Sequence, residues 1–220
     1  MTILYLFDID GTLLHAAGSG RAAFDAVMTD LHGLANASEG IRYGGKTDHA
    51  IIDEIFAARL GRASTPAERD AFIDAYIPKL HELLVTKGVE VLGGVVETLE
   101  YLQTQPVRLG VATGNVRRGA DAKLGAAGLA RWFEVGGYGC DSIVRAELVA
   151  KAIERGRDGR EVREVVVVGD TIHDISAARA CGATVVAVAT GADSKQALAH
   201  ADAVFASMAE LPAWHAARFS

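Results

Sequence analysis

The stretch that most constrains this chain is Leu4-Tyr5-Leu6-Phe7-Asp8-Ile9-Asp10-Gly11-Thr12-Leu13-Leu14. A run of apolar, strand-favouring residues stops at two acids one residue apart, and Gly-Thr follows at once. On an extended backbone, side chains two apart share a face, so Asp8 and Asp10 aim the same way. A turn after the strand would instead split their roles. Either way two carboxylates meet at a strand end, where open α/β sheets place their ligands. An ordinary Asx-turn explains Asp-x-Asp-Gly equally well when the stretch is taken alone. The rest of the chain has to decide.

With 220 residues the chain is long enough for one large domain, or a core with a smaller insert. Half of it is apolar and 23% charged, the balance of a folded protein and not a disordered one. A formal charge of −6 disfavours a nucleic-acid or anionic-membrane surface. No apolar run approaches the roughly 20 residues of a membrane helix, and the start of the chain lacks the zones of a signal peptide. Cys140 and Cys181 are too few and too far apart for a disulfide framework or a zinc knuckle. A cytoplasmic protein, monomer or homodimer, is expected.

Beyond the first strand the periodicity is helical. Gly18-Ser19-Gly20 opens a helix carrying Ala23, Phe24, Val27, Met28 and Leu31, closed by Gly33. A glycine-marked loop, Ile41 to Asp48, leads to a second helix with Ile51, Ile52, Ile55 and Phe56, in which Thr47 is placed to cap and Asp48 to meet the helix dipole. Thr65-Pro66-Ala67-Glu68 is a capping box with proline at the first helical position, ahead of a third helix running to Gly88. Residues 15–87 thus predict an all-helical insert with no strand.

After it, helices and strands alternate. A helix from Gly94 to Leu102 precedes a buried strand at Val107–Ala112, and a helix with Ala120, Leu124 and Leu129 precedes a weaker strand between Trp132 and Tyr138. A helix through Leu148, Ala152 and Ile153 leads to Val165-Val166-Val167-Val168, the unbroken β-branched run of a central parallel strand. A helix through Ile175 and Ala178 stops at Gly182, Thr184–Ala189 makes the last central strand, and Asp193-Ser194-Lys195-Gln196 has the form of a capping box before a short helix. The expected fold is α/β: a Rossmann-like parallel sheet with helices on both faces, formed by 1–14 and 88–220, with 15–87 as an inserted helical cap.

Three strands end in polar signatures: Asp8-Ile9-Asp10, Thr113-Gly114-Asn115, and Gly169-Asp170-Thr171-Ile172-His173-Asp174. In a parallel sheet these ends share one edge, so their side chains converge. Four acids gathered there would repel one another unless a cation sat among them. Oxygen-only ligands favour a hard ion, with Mg²⁺ the usual partner of phosphate chemistry. His173 reads as a surface residue of its loop. A Thr hydroxyl followed by Gly and a helix start suits a phosphate oxygen, although Thr113 taken alone fits a helix cap better. Asp170 and Asp174 also fit a cap and a first-turn acid.

Together these motifs resemble motifs one, two and four of the haloacid dehalogenase-like hydrolase superfamily. Gly18-x-Gly20-Arg21, Gly44-Gly45-Lys46-Thr47-Asp48 and Val188-Ala189-Thr190-Gly191 are similar to its phosphoglycolate phosphatase-like branch with a helical cap. The resemblance implies a Mg²⁺-dependent phosphatase for a small phosphorylated metabolite, phosphoglycolate-like esters included. Asp8 would be the nucleophile, forming an aspartyl-phosphate. Asp10 would protonate the leaving alcohol and then activate water, a task that calls for a carboxyl with a raised pKa. Mg²⁺ would be held by Asp8, the carbonyl of Asp10 and Asp170, with Asp174 in or next to its shell. Thr113, Gly114 and Asn115 would hold the transferring oxygens.

Where the family's third motif supplies a lysine, this chain reads Asp141-Ser142-Ile143-Val144-Arg145-Ala146-Glu147-Leu148. Arg145 is the expected replacement, because arginine also bridges phosphate and carboxylate. Lys123 is the runner-up, in a position that reads as a solvated helix residue. Arg42, Gly45, Lys46 and Thr47 lie in the cap loop, suited to a second anionic group on the substrate or, equally, to a charged surface. Asp10 disfavours the superfamily's dehalogenases, whose leaving halide needs no proton. It leaves open a sugar-phosphate mutase, and the retained acid pair weighs against a catalytically silent binding module.

Overall fold

The computed structural model describes residues 2–219. In chain order the elements are β1 (Thr2–Phe7), β2 (Leu14–His15), α1 (Ser19–His32), α2 (Asp48–Leu60), α3 (Pro66–Lys87), β3 (Glu90–Val91), α4 (Val95–Gln103), β4 (Val107–Ala112), α5 (Arg117–Ala126), β5 (Val135–Gly137), α6 (Arg145–Arg157), β6 (Val162–Gly169), α7 (Ile172–Ala180), β7 (Thr184–Val188), β8 (Ala203–Phe205) and α8 (Leu211–Phe219). Six strands form one parallel sheet in the order β5-β4-β1-β6-β7-β8.

Alternation along the strands divides the core in two. Tyr5, Phe7, Val166, Val168, Val186 and Val188 pack on one face with the buried residues of the helical insert and of α4 and α8. Leu4, Leu6, Val165, Val167, Val185 and Ala187 pack on the other, under α6 and α7. Every second residue changes face, which is why these strands read as continuous apolar runs. Register then aligns their ends: Phe7 pairs with Val111 on one side and Val168 on the other. Asp8, Thr113 and Asp170 therefore leave the sheet at the same edge.

The helical layer α1–α3 stands over that edge. Phe24 of α1 meets Phe72 and Tyr76 of α3 edge-on, with ring centroids 5.0 and 4.7 Å apart. Thr65 and Glu68 make the reciprocal capping box at the start of α3, with Pro66 at its first position. Among the described residues no helix is long and apolar enough to cross a membrane.

Four local expectations change. His15 is not part of an all-helical insert: with Leu14 it forms an antiparallel two-residue ribbon against Glu90–Val91, tying the entrance of the helical layer to its exit. The weak strand is shorter than Trp132–Tyr138, because Ala130–Trp132 is a 3₁₀ turn and only Val135–Gly137 pairs. Asp193–Gln196 starts no helix; Ser194 Oγ accepts from Ala197 N in a turn, while the Asp193 carboxylate is taken by the Ile172 N–H of α7. Finally, Ala203–Phe205 adds a sixth strand, too short for periodicity to reveal.

Candidate active site

Asp8 follows directly on β1, and its N–H still donates to Val168 O at 2.8 Å, so the strand pairing fixes its position. Asp170 follows on β6. Thr12 Oγ1 and Ala192 N donate to its two oxygens at 3.1 and 2.9 Å. The approach of Gly191 is close: a Cβ there would lie 1.7 Å from Asp170 Oδ2. Asp174 lies in the first turn of α7 and forms a capping box with Thr171, whose N–H and Oγ1 donate to Oδ2 at 3.0 and 2.6 Å.

These three carboxylates are buried, and one oxygen of each lies within 4.8 Å of the others. Arg145 stands at the start of α6 between two of them. Its Nε and Nη2 donate to Asp174 Oδ1 at 2.9 and 2.6 Å, and Nη2 lies 3.1 Å from Asp8 Oδ1. One guanidinium thus bridges two acids of a cluster of three. Burial pushes the Asp8 carboxyl up in pKa; Arg145 opposes this, and Asp174 and Asp10 add to it. Burial also pushes Asp170 up, reinforced by Asp8 and Asp174. A cluster whose negative form is this disfavoured suits a hard divalent cation, which would relieve the repulsion. Asp174 already accepts four hydrogen bonds and Asp170 two, so Asp8 and Asp170 have the freer lone pairs.

Asp10 faces a different neighbourhood. Lys123 Nζ lies 2.8 and 2.6 Å from its two oxygens, Asn115 Nδ2 donates to Oδ2 at 2.8 Å, and Lys123 Nζ also donates to Asn115 Oδ1 at 2.7 Å. Lys123 is only 5% exposed, which corrects its reading as a solvated helix residue. Its pairing also reverses the expected direction for Asp10. Burial works to raise that carboxyl, but the charge of Lys123 and hydrogen bonds from Asn115 and Lys123 outweigh it and hold the pKa down. The partner of Lys123 lies 113 residues away, beyond the reach of sequence spacing, but its small and apolar helix neighbours Gly119, Ala120, Ala122 and Leu124 did mark a buried face.

Thr113 is fully buried, and its Oγ1 accepts from Asn115 Nδ2 at 2.8 Å. It does not cap α5, which begins only at Arg117. Instead the helical layer reaches down: Asp48 Oδ2 accepts the Val116 N–H at 2.7 Å, and Asp48 N donates to Gly114 O at 2.8 Å. A Cβ on Gly114 would lie 2.1 Å from Lys46 O, so this contact requires glycine. Sequence reasoning gave Asp48 only a role on its own helix and missed this bridge.

The cap-loop residues separate. Gly45, at φ +74°, packs on the His173 ring, which is otherwise exposed as expected. Gly45 and Lys46 line the cavity above the acids, and the Lys46 ammonium is paired with Glu54. Thr47 is buried and caps α2 by accepting from Ala50 N. Arg42 has an 81% exposed side chain 3.8 Å from Asp193, away from that cavity.

Residues 5–188 match the model of the haloacid dehalogenase-like hydrolases. The chain belongs to that family. It is 28% identical over 212 residues to a phosphoglycolate phosphatase of Yersinia pseudotuberculosis, covering 93% of this chain and 89% of the relative. It is also 28% identical over 200 residues to a probable phosphatase, IndB, of Dickeya dadantii, covering 87% and 83%. Among solved structures, a hydrolase from Pseudomonas syringae superimposes with a TM-score of 0.75 at 23% identity over the whole of both chains. CbbY from Rhodobacter sphaeroides, in complex with phosphate, gives 0.74 at 20% identity over 96% of each. The structural likenesses establish the fold; the family match makes this an enzyme of the hydrolase class, with phosphatases among its relatives.

Proposed function

We propose that this enzyme is a Mg²⁺-dependent phosphatase that hydrolyses a small phosphate monoester through an aspartyl-phosphate on Asp8. The observation that carries the reading is the surplus of buried acid at the strand ends, where Asp8, Asp170 and Asp174 cluster and the guanidinium of Arg145 pairs with only Asp8 and Asp174. Such a surplus fits a hard cation held by Asp8, Asp170 and the carbonyl of Asp10, with Asp174 beside it. When bound, the ion supplies the positive charge that lets a carboxylate approach an anionic phosphate.

Asp8 then attacks phosphorus, and the bond to the ester oxygen breaks. Arg145 orients Asp8 through the 3.1 Å contact and is anchored by Asp174. Thr113 and the N–H groups that follow it face the transferring oxygens. Asp10 gives its proton to the leaving alkoxide. Lys123 favours its ionised form, but the negative charge of a bound phosphate acts in the opposite sense and raises its proton affinity. Asp10 next takes a proton from water, the oxygen attacks the phosphoryl group, and Asp8 is released with inorganic phosphate. The helical layer α1–α3 serves as a cap over this site, excluding bulk water when closed. The relatives' names make phosphoglycolate one of the first esters to assay.

Purified protein should release phosphate from small esters only with Mg²⁺ present. Asp8→Asn should lower turnover by at least about a thousandfold while leaving the circular dichroism spectrum and thermal midpoint near those of the parent. Near-normal turnover in this variant would remove Asp8 as nucleophile.

A further inference from the structure

The cavity over the strand ends has a volume of about 480 Å³ and extends into the helical layer. Resting on the phosphatase reading above, we propose that the ester bound there carries no second negative charge: its alcohol half is neutral and hydroxyl-bearing, of the polyol or sugar class. The charges around the cavity carry this inference. Four lysine and arginine side chains line it beside the exposed His15, and each of the four is engaged. Lys123 is held by Asp10 and Asn115, Arg145 by Asp8 and Asp174, and Lys46 by Glu54. Arg21 lies 4.2 Å over the Tyr43 ring and donates to the carbonyl oxygens of Ser38 and Ile41 at 2.7 and 2.6 Å. Arg42, the cap-loop cation best suited by sequence to a second anionic group, faces Asp193 at the surface.

Among the described residues no lysine or arginine of the lining is therefore left free, and His15 acts on Asp10. The wall that would meet the leaving group presents Phe24, Tyr43, Ile51 and Tyr76, together with the buried carboxyl of Asp48. A substrate carboxylate placed there would lose water, face Asp48 and find no unpaired lysine or arginine, a costly combination. A neutral hydroxylated group meets the opposite conditions. Its hydroxyls can donate to the Asp48 oxygens, and its C–H faces can lie on the tyrosine rings. The volume agrees, because 480 Å³ falls within the range of cavities that enclose whole metabolites and exceeds the need of a two-carbon acid.

Matched esters test this on the intact enzyme with Mg²⁺. Hydroxyethyl phosphate is compared with phosphoglycolate, and glycerol phosphate with phosphoglycerate, so that each pair differs by a hydroxymethyl group against a carboxylate. The neutral member of each pair should have the higher kcat/KM by about tenfold or more, and Asp48→Asn should narrow that ratio by removing charge while keeping an acceptor for Val116. p-Nitrophenyl phosphate reports separately on phosphatase activity. Its cleavage with equal or reversed ratios in the pairs, or with none of the four esters cleaved, overturns the substrate class and leaves the phosphatase reading standing. An acid preference that Lys46→Met abolishes would mean that Lys46 leaves Glu54 for the substrate, and would also overturn it. A ratio unchanged in Asp48→Asn contradicts the role given to this wall. No turnover of any ester overturns both readings.

Discussion

The two acids of Asp8-Ile9-Asp10 sit two residues apart in opposite electrostatic settings. Around Asp8, three buried carboxylates cluster with one guanidinium that pairs with two of them, and burial pushes Asp8 and Asp170 upward in pKa. Around Asp10, one carboxylate has one ammonium and one amide, and its pKa is held down. The first setting lacks positive charge and suits an incoming cation. The second is already balanced and suits a group whose orientation matters. Carboxylates with the same intrinsic chemistry are assigned different work by what surrounds them.

The comparison breaks most sharply at Arg145. Arg145→Ala should lower kcat by about a hundredfold to a thousandfold, because Asp8 loses its orienting contact and the acid cluster loses its one cation. The loss should be equal for alkyl and aryl esters, which steady-state kinetics on both will check. Lys123→Ala should cost less, roughly tenfold to a hundredfold, and should spare aryl esters whose leaving group needs no proton. Chemical denaturation should show a further loss of only about 1–2 kcal/mol, since Asp10 keeps a 45% exposed side chain and water partly replaces Lys123. A larger activity loss for Lys123→Ala than for Arg145→Ala would reverse the two assignments.

Asp48 sharpens the contrast from the helical layer. Burial raises its pKa from 3.8 to about 6, opposed by Lys123 and the Val116 N–H and supported by Asp10. The folded state therefore holds this proton more tightly than the unfolded chain. Its contribution to stability is present below the ordinary carboxyl value and falls as pH rises towards about 6, then levels off. The difference in unfolding free energy between the parent and Asp48→Asn should change by roughly 2 kcal/mol between pH 4 and 7, the parent losing ground as pH rises. A pH-independent difference would mean that the Asp48 carboxyl is not perturbed.

Much of this arrangement was legible in the sequence because its signals are local. An apolar run ending in an acid gives both the strand and the residue at its mouth, which serves Asp8 and Asp170 alike. The capping box at Thr65–Glu68 is equally self-contained. What escaped notice depends on partners far along the chain. Lys123 is buried only because Asp10 and Asn115 face it, Asp48 bridges to Val116, and Arg42 turns outward to Asp193. The same Asp193 also explains the missing helix after it, since its carboxylate serves Ile172. β8 is recognisable only once β7 offers it an edge, with Val186 opposite Ala203.

The central claim, that Asp8 takes the phosphoryl group while Asp10 moves protons, is tested most directly by acid quench of the enzyme during turnover of a radiolabelled phosphate ester. The account predicts a hydroxylamine-labile label on the peptide carrying Asp8, absent in Asp8→Asn and accumulating in Asp10→Asn when an aryl ester is used. Product formation with no label on that peptide, or with the label on Asp10, would contradict it.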